Sequence, residues 1–337
     1  MYSYSVRFCP YFLGELVSVM YRDKTISVVV PAYNEELLII DTLSTIPDFV
    51  DKIYVVNDCS KDKTQEKIDA YLPQDPRIVS LPHEVNKGVG AAIVTGYKQS
   101  RADKIDIAAV MAGDNQMDPS FLPKLLDPII DGKVDYTVGN RLTNIAYRHG
   151  MSKWRFFGNS ILSLLTKIAS GYWQMSDPQN GYTAISLRAL ETISLDAIYP
   201  RYGYCNDLLA RLNTYGFRMR NVPHPARYGR EKSGIRYGVY IRKVSWLLVR
   251  DFCWRLKMKY VILGFHPLVF YYLFGVLFTL ISLFGAGFAL VMKFAFGYAN
   301  LFTYGMLSLL LFSLGMMFIF FAMFFDMAAE DRDYGWY

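Results

Sequence analysis

Short apolar runs alternate with segments of helical periodicity through the first part of the chain. The runs are ISVVVP (26–31), KIYVVND (52–58), RIVSL (77–81) and IDIAAVMAG (105–113). Continuous β-branched runs of this kind are typical of strands that are buried on both faces of a sheet. Helical patterns lie between them, for example at 64–71 and 88–100. Alternating strands and helices predict an α/β fold with a mostly parallel sheet.

Polar residues follow three of these runs at the point where each strand ends. They are the pairs Asn34-Glu35, Asn57-Asp58 and Gly113-Asp114. Parallel sheets of this class bind their ligands beyond the carboxyl ends of the strands. We therefore expect these polar pairs to lie at a ligand site. For Asp118 we expect a helix cap, because Asp118-Pro119 is suited to the N-cap and first position of a helix; a contribution to the ligand site is the alternative.

The pattern is less regular after Arg141. It predicts a helix over 154–169, a loop SDPQNGY (176–182), a helix near 207–215 and a strand FRMRNVP (217–223). In the next segment, GVYIRKVSWLLVRDFCWRLKMKY (238–260), Trp, Leu and Val alternate with Arg and Lys at helical spacing. Such a segment is typical of a helix that lies in the membrane interface.

Two long segments near the C-terminus are almost free of charge. Residues 294–325 contain no charged side chain, and His266 is the only acidic or basic side chain between 260 and 292. Each segment exceeds the roughly 20 residues that cross a bilayer. A helix that is apolar on every face needs lipid or a protein core around it. The sequence therefore predicts two transmembrane helices.

The distribution of charge predicts the orientation of these helices. The chain has a net charge of +6, and residues 227–259 alone contain ten Lys or Arg and two acidic residues. Basic residues that flank a span stay in the cytoplasm, and they attract anionic head groups and phosphates. We predict an integral membrane protein with two spans, whose folded domain and both hairpin ends are cytoplasmic.

Four cysteines, Cys9, Cys59, Cys205 and Cys253, lie far apart and form no CxxC motif. They predict neither a zinc site nor a disulfide framework, which agrees with a reducing cytoplasm. The first 20 residues lack the layout of a signal peptide. The predicted organisation is an extension of unassigned role (1–24), an α/β domain (25–235), amphipathic interfacial helices (236–262), a two-helix transmembrane hairpin (263–326) and a cytoplasmic tail (327–337).

Five motifs occur in order along the α/β domain. They are VVVPAYNEE (28–36), VVNDCSKDKT (55–64), NKGVGAA (86–92), MAGDNQMDP (111–119) and DPQNGY (177–182). Together they resemble the successive motifs of family 2 glycosyltransferases, in particular polyprenyl-phosphate hexose synthases such as the dolichyl-phosphate mannose and undecaprenyl-phosphate glucose synthases. The resemblance implies a GT-A-type, Rossmann-like domain that binds a nucleotide sugar. A basic interfacial segment followed by two spans also resembles the branch that uses lipid acceptors.

A metal site is the first consequence of this resemblance. The diphosphate of a nucleotide sugar requires a divalent cation, and hard cations prefer oxygen ligands. By resemblance, Asp114 and Gln116 hold Mg²⁺ or Mn²⁺ against the diphosphate, and Asp114 is also a catalytic and donor-binding residue. The family usually has an acid two residues before Asp114. Here that residue is Ala112, so the metal or base contact lacks one ligand.

The resemblance also assigns the donor site. Pro31, Tyr33 and Glu35 match the positions that cradle the nucleotide, and Asp58 matches the acid that reads the base. Lys87 in the NKG motif is a candidate contact to the nucleotide or phosphate. An alternative for Asp58 is a turn residue that hydrogen-bonds its own backbone.

On the acceptor side, Arg141 and Arg155 match the basic residues that bind the acceptor phosphate in lipid-acceptor relatives. Arginine suits this role because its guanidinium binds phosphate in a bidentate manner. Surface salt bridges are the alternative for these arginines. Asp177 lies in the acceptor-side loop, Asp207 falls where many family members place a catalytic base, and both are candidate catalytic residues. For both acids, a helix cap or loop anchor is the alternative.

The predicted function is that of a membrane-anchored, inverting glycosyltransferase. It would move a hexose from a UDP- or GDP-sugar to a dolichyl or undecaprenyl phosphate at the cytoplasmic face. The expected partners are the donor, the lipid acceptor and membrane lipid; nucleic acid is not expected, and a homo-oligomer is left open. Two alternatives stay open, a family 2 transferase that glycosylates a glycan hydroxyl and a non-catalytic anchored protein that binds sugar nucleotides.

Overall fold

The structure is a computed structural model that describes residues 20–142, 153–225, 237–297 and 302–333. The chain forms a seven-stranded sheet between helices, followed by a long amphipathic helix and two long apolar helices. Most of the predicted N-terminal extension, the basic segment at 226–236 and the end of the predicted tail lie outside the described residues.

The sheet contains both parallel and antiparallel pairs. Its strands are β1 (Ile26–Ala32), β2 (Lys52–Asn57), β3 (Ile78–Ser80), β4 (Ile107–Val110), β5 (Tyr136–Asn140), β6 (Thr183–Ser186) and β7 (Met219–Pro223). Their order across the sheet is β3-β2-β1-β4-β6-β5-β7. Only β6 is antiparallel to its neighbours, β4 and β5. The prediction of a mostly parallel α/β sheet is confirmed.

Helices cover both faces of this sheet. They are α1 (Ile39–Ser44), α2 (Thr64–Tyr71), α3 (Val89–Ala102), α4 (Leu122–Ile130), α5 (Lys153–Ser170), α6 (Leu187–Thr192) and α7 (Tyr204–Thr214). Every residue of β1 is buried. Val29 packs into the core formed with α3, α6 and α7, while Val28 and Val30 pack into the core formed with α1, α2 and α4. This two-sided burial explains why the run ISVVVP has no polar alternation.

The predicted helices at 64–71 and 154–169 match α2 and α5 closely. The sequence did not predict β5 or β6 as strands. β6 contains only four residues, TAIS, which is too short for a hydrophobic period to be recognised. Its antiparallel direction brings the preceding loop, which contains the DPQNGY motif, to the same edge as the carboxyl ends of β4 and β5.

The amphipathic helix α8 (Tyr237–Lys257) follows the sheet domain and ends in a π-helical turn, Met258–Leu263. Val244 and Leu248 are buried in a small core that includes Ala169 of α5. On the exposed face, Trp246 keeps 72% of its surface accessible. The described part of α8 therefore has the amphipathic character that the sequence predicted.

Two long helices, α9 (Leu268–Phe296) and α10 (Phe302–Asp333), form a hairpin. Both are long and apolar enough to cross a membrane, and few of their side chains are buried in the protein. They approach closely at Gly315, where an added Cβ would lie 2.9 Å from the carbonyl oxygen of Gly275. α10 continues through Asp333, so the predicted boundary between hairpin and tail at residue 326 falls inside one helix.

A buried ion pair joins α8 to the second of these helices. Arg255 Nη1 and Nη2 donate to the two carboxylate oxygens of Asp326 at 2.8 and 2.9 Å. Arg255 also donates to the carbonyl oxygens of Ile168 and Ala169, in the last turn of α5. One side chain thus connects the sheet domain, the amphipathic helix and the apolar hairpin.

Candidate active site

The ends of five strands and the start of a sixth meet at one edge of the sheet. The polar residues there are Tyr33 and Asn34 after β1, Asp58 after β2, Asp114 after β4, Arg141 after β5, Asn180 before β6 and His224 after β7. Because β6 is antiparallel, its first residue lies at this edge. The expectation that the polar strand ends share one edge therefore agrees with the structure.

The loops after β1 and β2 are fastened to each other. Asn34 Oδ1 accepts from the backbone N–H of Lys61 at 2.8 Å, and the Asn34 N–H donates to Ser60 Oγ at 3.0 Å. Asn34 has a φ of 59°, a left-handed conformation that asparagine tolerates. Next to this junction, the Glu35 N–H donates to Thr64 Oγ1 at 2.8 Å. The bonds hold the first two motifs as one rigid unit and leave Tyr33 exposed at the edge.

Pro31 contributes to the site through its backbone. It is buried within β1, opposite Val56 of β2. Its carbonyl oxygen accepts from the Gly113 N–H at 3.1 Å. Pro31 therefore positions the segment that carries Asp114, and the residue itself is buried.

Asp58 is the centre of a buried hydrogen-bond network. Its Oδ1 accepts from His83 Nδ1 at 2.7 Å and from the Lys87 N–H at 2.9 Å, and its Oδ2 accepts from the Gly88 N–H at 2.7 Å. Gly88 has a φ of 100°, which favours glycine. The carboxylate thus fixes the NKG loop to the end of β2. The Lys87 side chain remains exposed at this loop.

Asp114 and Gln116 lie in the loop that follows β4. The Gln116 N–H donates to Asp114 Oδ1 at 3.1 Å, and Asn115 between them has a φ of 54°. Both residues are partly exposed. Over the described residues, no group of three or more His, Cys, Asp or Glu side chains is placed to hold a metal ion.

The two oxygen-bearing side chains still fit a hard divalent cation. Mg²⁺ in nucleotide sites is commonly held by one or two carboxylates, with water and phosphate oxygens completing its coordination. Asp114 supplies one carboxylate and Gln116 one carboxamide oxygen, so this donor set is small but of the right chemistry. Asp118 has the capping role predicted for it, because its side chain accepts from the Ser120 N–H at 3.0 Å.

Arg141 and Asp177, for which the sequence predicted separate roles, form a bidentate pair. Arg141 Nε donates to Asp177 Oδ2 at 2.8 Å, and Nη2 donates to Oδ1 at 3.1 Å. The Asp177 side chain is 6% exposed, whereas that of Arg141 is 29% exposed. Asp177 therefore orients an arginine whose guanidinium reaches the surface of the site.

Arg155 lies in the first turn of α5, and its side chain is outside the described residues. The described part of this helix has an unusual surface. Ile161, Leu164 and Leu165 are each more than two-fifths exposed. They are spaced to form one stripe on the helix, so α5 presents an apolar face away from the core.

Asp207 has the environment of an anchor. Its carboxylate is almost fully buried and accepts from the Tyr199 N–H at 2.6 Å and from Arg211 Nε at 3.0 Å. Arg250 of α8 is a third partner, with its Nη2 3.4 Å from Asp207 Oδ2. These partners argue against Asp207 as a catalytic base and favour the structural alternative.

The sequence analysis did not single out two histidines of this edge, His83 and His224. His83 joins Asp58 to Thr95 of α3, where His83 Nε2 lies 2.9 Å from Thr95 Oγ1. His224 directly follows β7, so it occupies the same strand-end position as Asp58 and Asp114, and this position is the signal that identifies it. His83 has no comparable signal, because its partner Asp58 is distant in sequence.

Comparisons with known proteins agree with this geometry. Residues 27–194 match the sequence model of glycosyl transferase family 2. The chain is 33% identical over 214 residues to a UDP-N-acetylglucosamine–dolichyl-phosphate N-acetylglucosaminyltransferase of Methanococcus voltae, covering 60% of this chain and 85% of that protein. It is 28% identical over 204 residues to an undecaprenyl-phosphate mannosyltransferase of Micrococcus luteus, covering 58% and 80% of the two chains.

A solved structure shares the fold. Glucosyl-3-phosphoglycerate synthase from Mycobacterium tuberculosis, in complex with Mn²⁺ and UDP-glucose, matches with a TM-score of 0.53 and 25% identity. The match covers 68% of this chain and 79% of that one. The GT-A-type fold expected from the motifs is therefore confirmed.

Proposed function

Because the chain belongs to glycosyl transferase family 2, we propose that it transfers a hexose from a UDP- or GDP-sugar to a polyprenyl phosphate at the cytoplasmic face of a membrane. It is a glycosyltransferase, and the resemblance to polyprenyl-phosphate sugar synthases is confirmed by relatives named for dolichyl and undecaprenyl phosphate acceptors. The donor sugar, the lipid acceptor and the orientation are the proposed parts.

The observation that carries the proposal is the bond between the sheet domain and the apolar hairpin. Arg255 contacts Asp326 of α10 and the last turn of α5 at the same time. If the hairpin spans the membrane, this contact keeps the sheet domain at the height of the lipid head groups. An acceptor phosphate in the membrane surface would then be within reach, which a soluble acceptor would not require.

The surfaces of α5 and α8 support the same position. The apolar stripe of Ile161, Leu164 and Leu165 on α5 is exposed, and so is Trp246 on α8. Exposed apolar and aromatic residues next to basic ones are typical of segments that lie in the membrane interface. Arg242 and Lys243 are also exposed on α8, where they would attract anionic head groups.

On the donor side, we assign the nucleotide to the unit formed by the loops after β1 and β2. Asp58 and the NKG loop would contact the base, and Tyr33 would cover the nucleotide. Asp114 and Gln116 would hold Mg²⁺ or Mn²⁺, which neutralises the leaving diphosphate when it is bound. Asp114 and Gln116 would also fix the direction in which the diphosphate departs.

On the acceptor side, Arg141 would hold the lipid phosphate in the orientation set by Asp177. A phosphate monoester is largely dianionic at neutral pH, so it is a nucleophile without a general base. Its oxygen forms a bond to the anomeric carbon as the bond to the diphosphate breaks, and the anomeric centre inverts. A glycan hydroxyl would need a base, and the commitment of Asp207 to Tyr199 and Arg211 argues against this alternative.

A direct transfer assay tests the proposal. Membranes that contain the protein are incubated with a panel of labelled UDP- and GDP-sugars, and the lipid fraction is extracted. We expect one label to enter an acid-labile lipid in a metal-dependent manner, and the Asp114→Ala variant to lack this transfer. Label that enters only polysaccharide would contradict the lipid acceptor.

The orientation is tested separately. We expect a reporter fused after Tyr337 to be cytoplasmic, and a cysteine placed in the short link after Phe296 to react with a membrane-impermeant reagent from the outside. The reverse labelling would contradict a cytoplasmic active site.

A further inference from the structure

His224 is a buried histidine at the acceptor end of the site, and the proposed transfer reaction does not use it. It directly follows β7, and its N–H donates to the carbonyl oxygen of Asn140 at 3.1 Å. Asn140 immediately precedes Arg141. The imidazole of His224 lies against Gly139, two residues before the arginine that would bind the acceptor phosphate.

The hydrogen bonds of the ring define its protonation state. Nδ1 lies 2.9 Å from the carbonyl oxygen of Pro225, which can only accept, so Nδ1 carries a proton. Nε2 lies 2.6 Å from Asn180 Nδ2. The Asn180 carboxamide is oriented by its other atom, because Oδ1 accepts from the Tyr182 N–H at 3.0 Å. Asn180 therefore donates to Nε2, and the imidazole is neutral.

The surrounding residues leave little freedom for this pair. A Cβ added to Gly139 would lie 2.6 Å from His224 Nε2 and 3.0 Å from Asn180 Nδ2. The ring of Tyr182 packs edge-on against the imidazole, at 5.7 Å between centroids. Gly139 thus provides the space that the hydrogen-bonded pair occupies.

The pair connects to the acceptor residues through a short loop. The Asn180 N–H donates to the carbonyl oxygen of Asp177 at 3.2 Å, and Asp177 holds Arg141 by two bonds. A loop that loses the bond between Asn180 and His224 would also lose the fixed position of Asp177. The orientation of Arg141 depends on that position.

We propose that His224 is a positioning residue for the acceptor, which acts as a neutral hydrogen-bond acceptor for Asn180 and so fixes the Asp177–Arg141 pair. This proposal rests on the proposed function of Arg141. It predicts that acid disrupts the acceptor site, because a proton on Nε2 would face the N–H donors of Asn180 and leave both groups without an acceptor.

Burial has the largest effect on the pKa of His224, and the charges around the ring act in both directions. Within the part of the chain that the structure describes, the charged groups that act on it are Arg141 after β5, Asp177 before β6 and Asp118 after β4. Burial lowers the pKa of His224 from its ordinary value of 6.5; the Arg141 cation lowers it further, and the Pro225 carbonyl and the two acids raise it in part. The neutral form is therefore retained at and below neutral pH in the folded protein.

Three variants of the full-length protein separate positioning from a general loss of structure. His224→Gln supplies a carboxamide oxygen that can accept from Asn180 and cannot be protonated, whereas His224→Ala supplies no acceptor. Asn180→Asp replaces the donor by a carboxylate, which favours the protonated ring. Donor KM, acceptor KM and kcat are measured with a polyprenyl phosphate between pH 5.5 and 8.

We expect His224→Ala to raise the acceptor KM about tenfold, as for the loss of one hydrogen bond to a fixed group, while the donor KM stays within about twofold. We expect His224→Gln to recover most of the acceptor affinity at pH 7.5. When the pH is lowered to 5.5, the acceptor KM of His224→Gln should rise less than that of the wild type. The second ionisation of the acceptor phosphate near pH 6 affects both enzymes equally. Equal increases in both KM values, or superimposable pH profiles, would overturn the proposal.

A second measurement does not depend on transfer. The folded pKa of His224 lies below the unfolded value, so the wild type loses stability as the pH falls through about 6.5. We expect its melting temperature to fall relative to that of His224→Gln by about 2–4 °C between pH 7.5 and 5.5, and Asn180→Asp to reverse this trend. Parallel curves would overturn the neutral assignment. If the melting temperatures follow these expectations but no sugar is transferred, the proposed function would instead be contradicted.

Discussion

Asp58 and His83 form a buried hydrogen-bonded pair, with His83 Nδ1 at 2.7 Å from Asp58 Oδ1. The pair links the end of β2 to the NKG loop, because the same carboxylate accepts from the N–H groups of Lys87 and Gly88. The residue that the resemblance assigns to the nucleotide base thus also holds the loop that would lie next to that base.

We therefore expect His83→Ala to raise the donor KM by about 10- to 100-fold, since one hydrogen bond to a buried charged group is worth about 1.5–3 kcal/mol. The acceptor KM and the kcat should change little. The measurement is steady-state kinetics with each substrate varied in turn. His83→Asn, which can still donate to Asp58, is the matched variant and should recover part of the donor affinity. A rise in the acceptor KM as large as that in the donor KM would contradict the assignment.

The metal site gives the second prediction. Asp114→Asn removes the carboxylate that would hold Mg²⁺ or Mn²⁺, and we expect kcat/KM to fall by at least about 10²-fold, as for other losses of transition-state charge stabilisation. Titration with Mn²⁺ should shift to higher concentrations. Asp118→Asn is the control, because asparagine is also a good N-cap and Asp118 accepts from Ser120. Similar losses in both variants would contradict the assignment of Asp114.

The sequence was informative where a local pattern determines structure. Apolar runs that end in polar pairs identified β1, β2 and β4 together with Asp58 and Asp114. It could not show that Asp177 orients Arg141, because these residues are separated by 36 positions and each is compatible with several roles.

The pattern of apolar and basic residues also could not predict which single charged side chain is buried. In the amphipathic segment, Arg255 resembles the other basic residues of a membrane-interface helix, yet its side chain is fully buried. Its partner, Asp326, lies 71 residues away. A helical period assigns a face to a residue, but only the packing of α5, α8 and α10 determines which of the basic residues receives a buried partner.

Asp207 provides a third prediction, which separates an anchor from a catalytic base. Removal of its carboxylate leaves Arg211 Nε and the Tyr199 N–H without their acceptor. We expect Asp207→Ala to lower the free energy of unfolding by about 3–5 kcal/mol, the usual effect of breaking a buried ion pair. The kcat per folded molecule should be retained. A variant of normal stability with a large loss of kcat would instead establish a catalytic role.

Asp251 lies beside Asp207, but we expect the loss of its charge to stabilise the protein rather than to destabilise it. Burial and, to a smaller extent, the Asp207 charge raise the pKa of Asp251 to about 7. Its Oδ2 is buried without a hydrogen-bond partner among the described residues. The folded protein therefore binds a proton more tightly than the unfolded chain, and the wild type loses stability as the pH rises from about 4 to 7.

We expect Asp251→Asn to stabilise the protein at pH 8, by at most about 4 kcal/mol, and to have little effect near pH 4.5. Thermal unfolding of the two proteins across this range measures the difference. Asp207→Asn is the comparison, because the same substitution at that position removes a carboxylate with satisfied hydrogen bonds and should destabilise. A pH-independent difference between Asp251→Asn and the wild type would contradict the raised pKa.

The ion pair of Arg255 and Asp326 gives the last prediction, which concerns the attachment of the sheet domain to the hairpin. Both side chains are almost completely inaccessible, and Tyr260 Oη also donates to Asp326 Oδ1 at 2.5 Å. Asp326→Leu leaves the guanidinium buried without its counter-charge, so we expect the free energy of unfolding to fall by about 3–5 kcal/mol. Arg255→Met combined with Asp326→Leu removes both charges, and its loss should be smaller than that of either single variant. It should not recover fully, because Arg255 also satisfies the carbonyl oxygens of Ile168 and Ala169. Thermal unfolding of the full-length protein in detergent provides the comparison, and additive losses in the double variant would show that the two residues do not act as a pair.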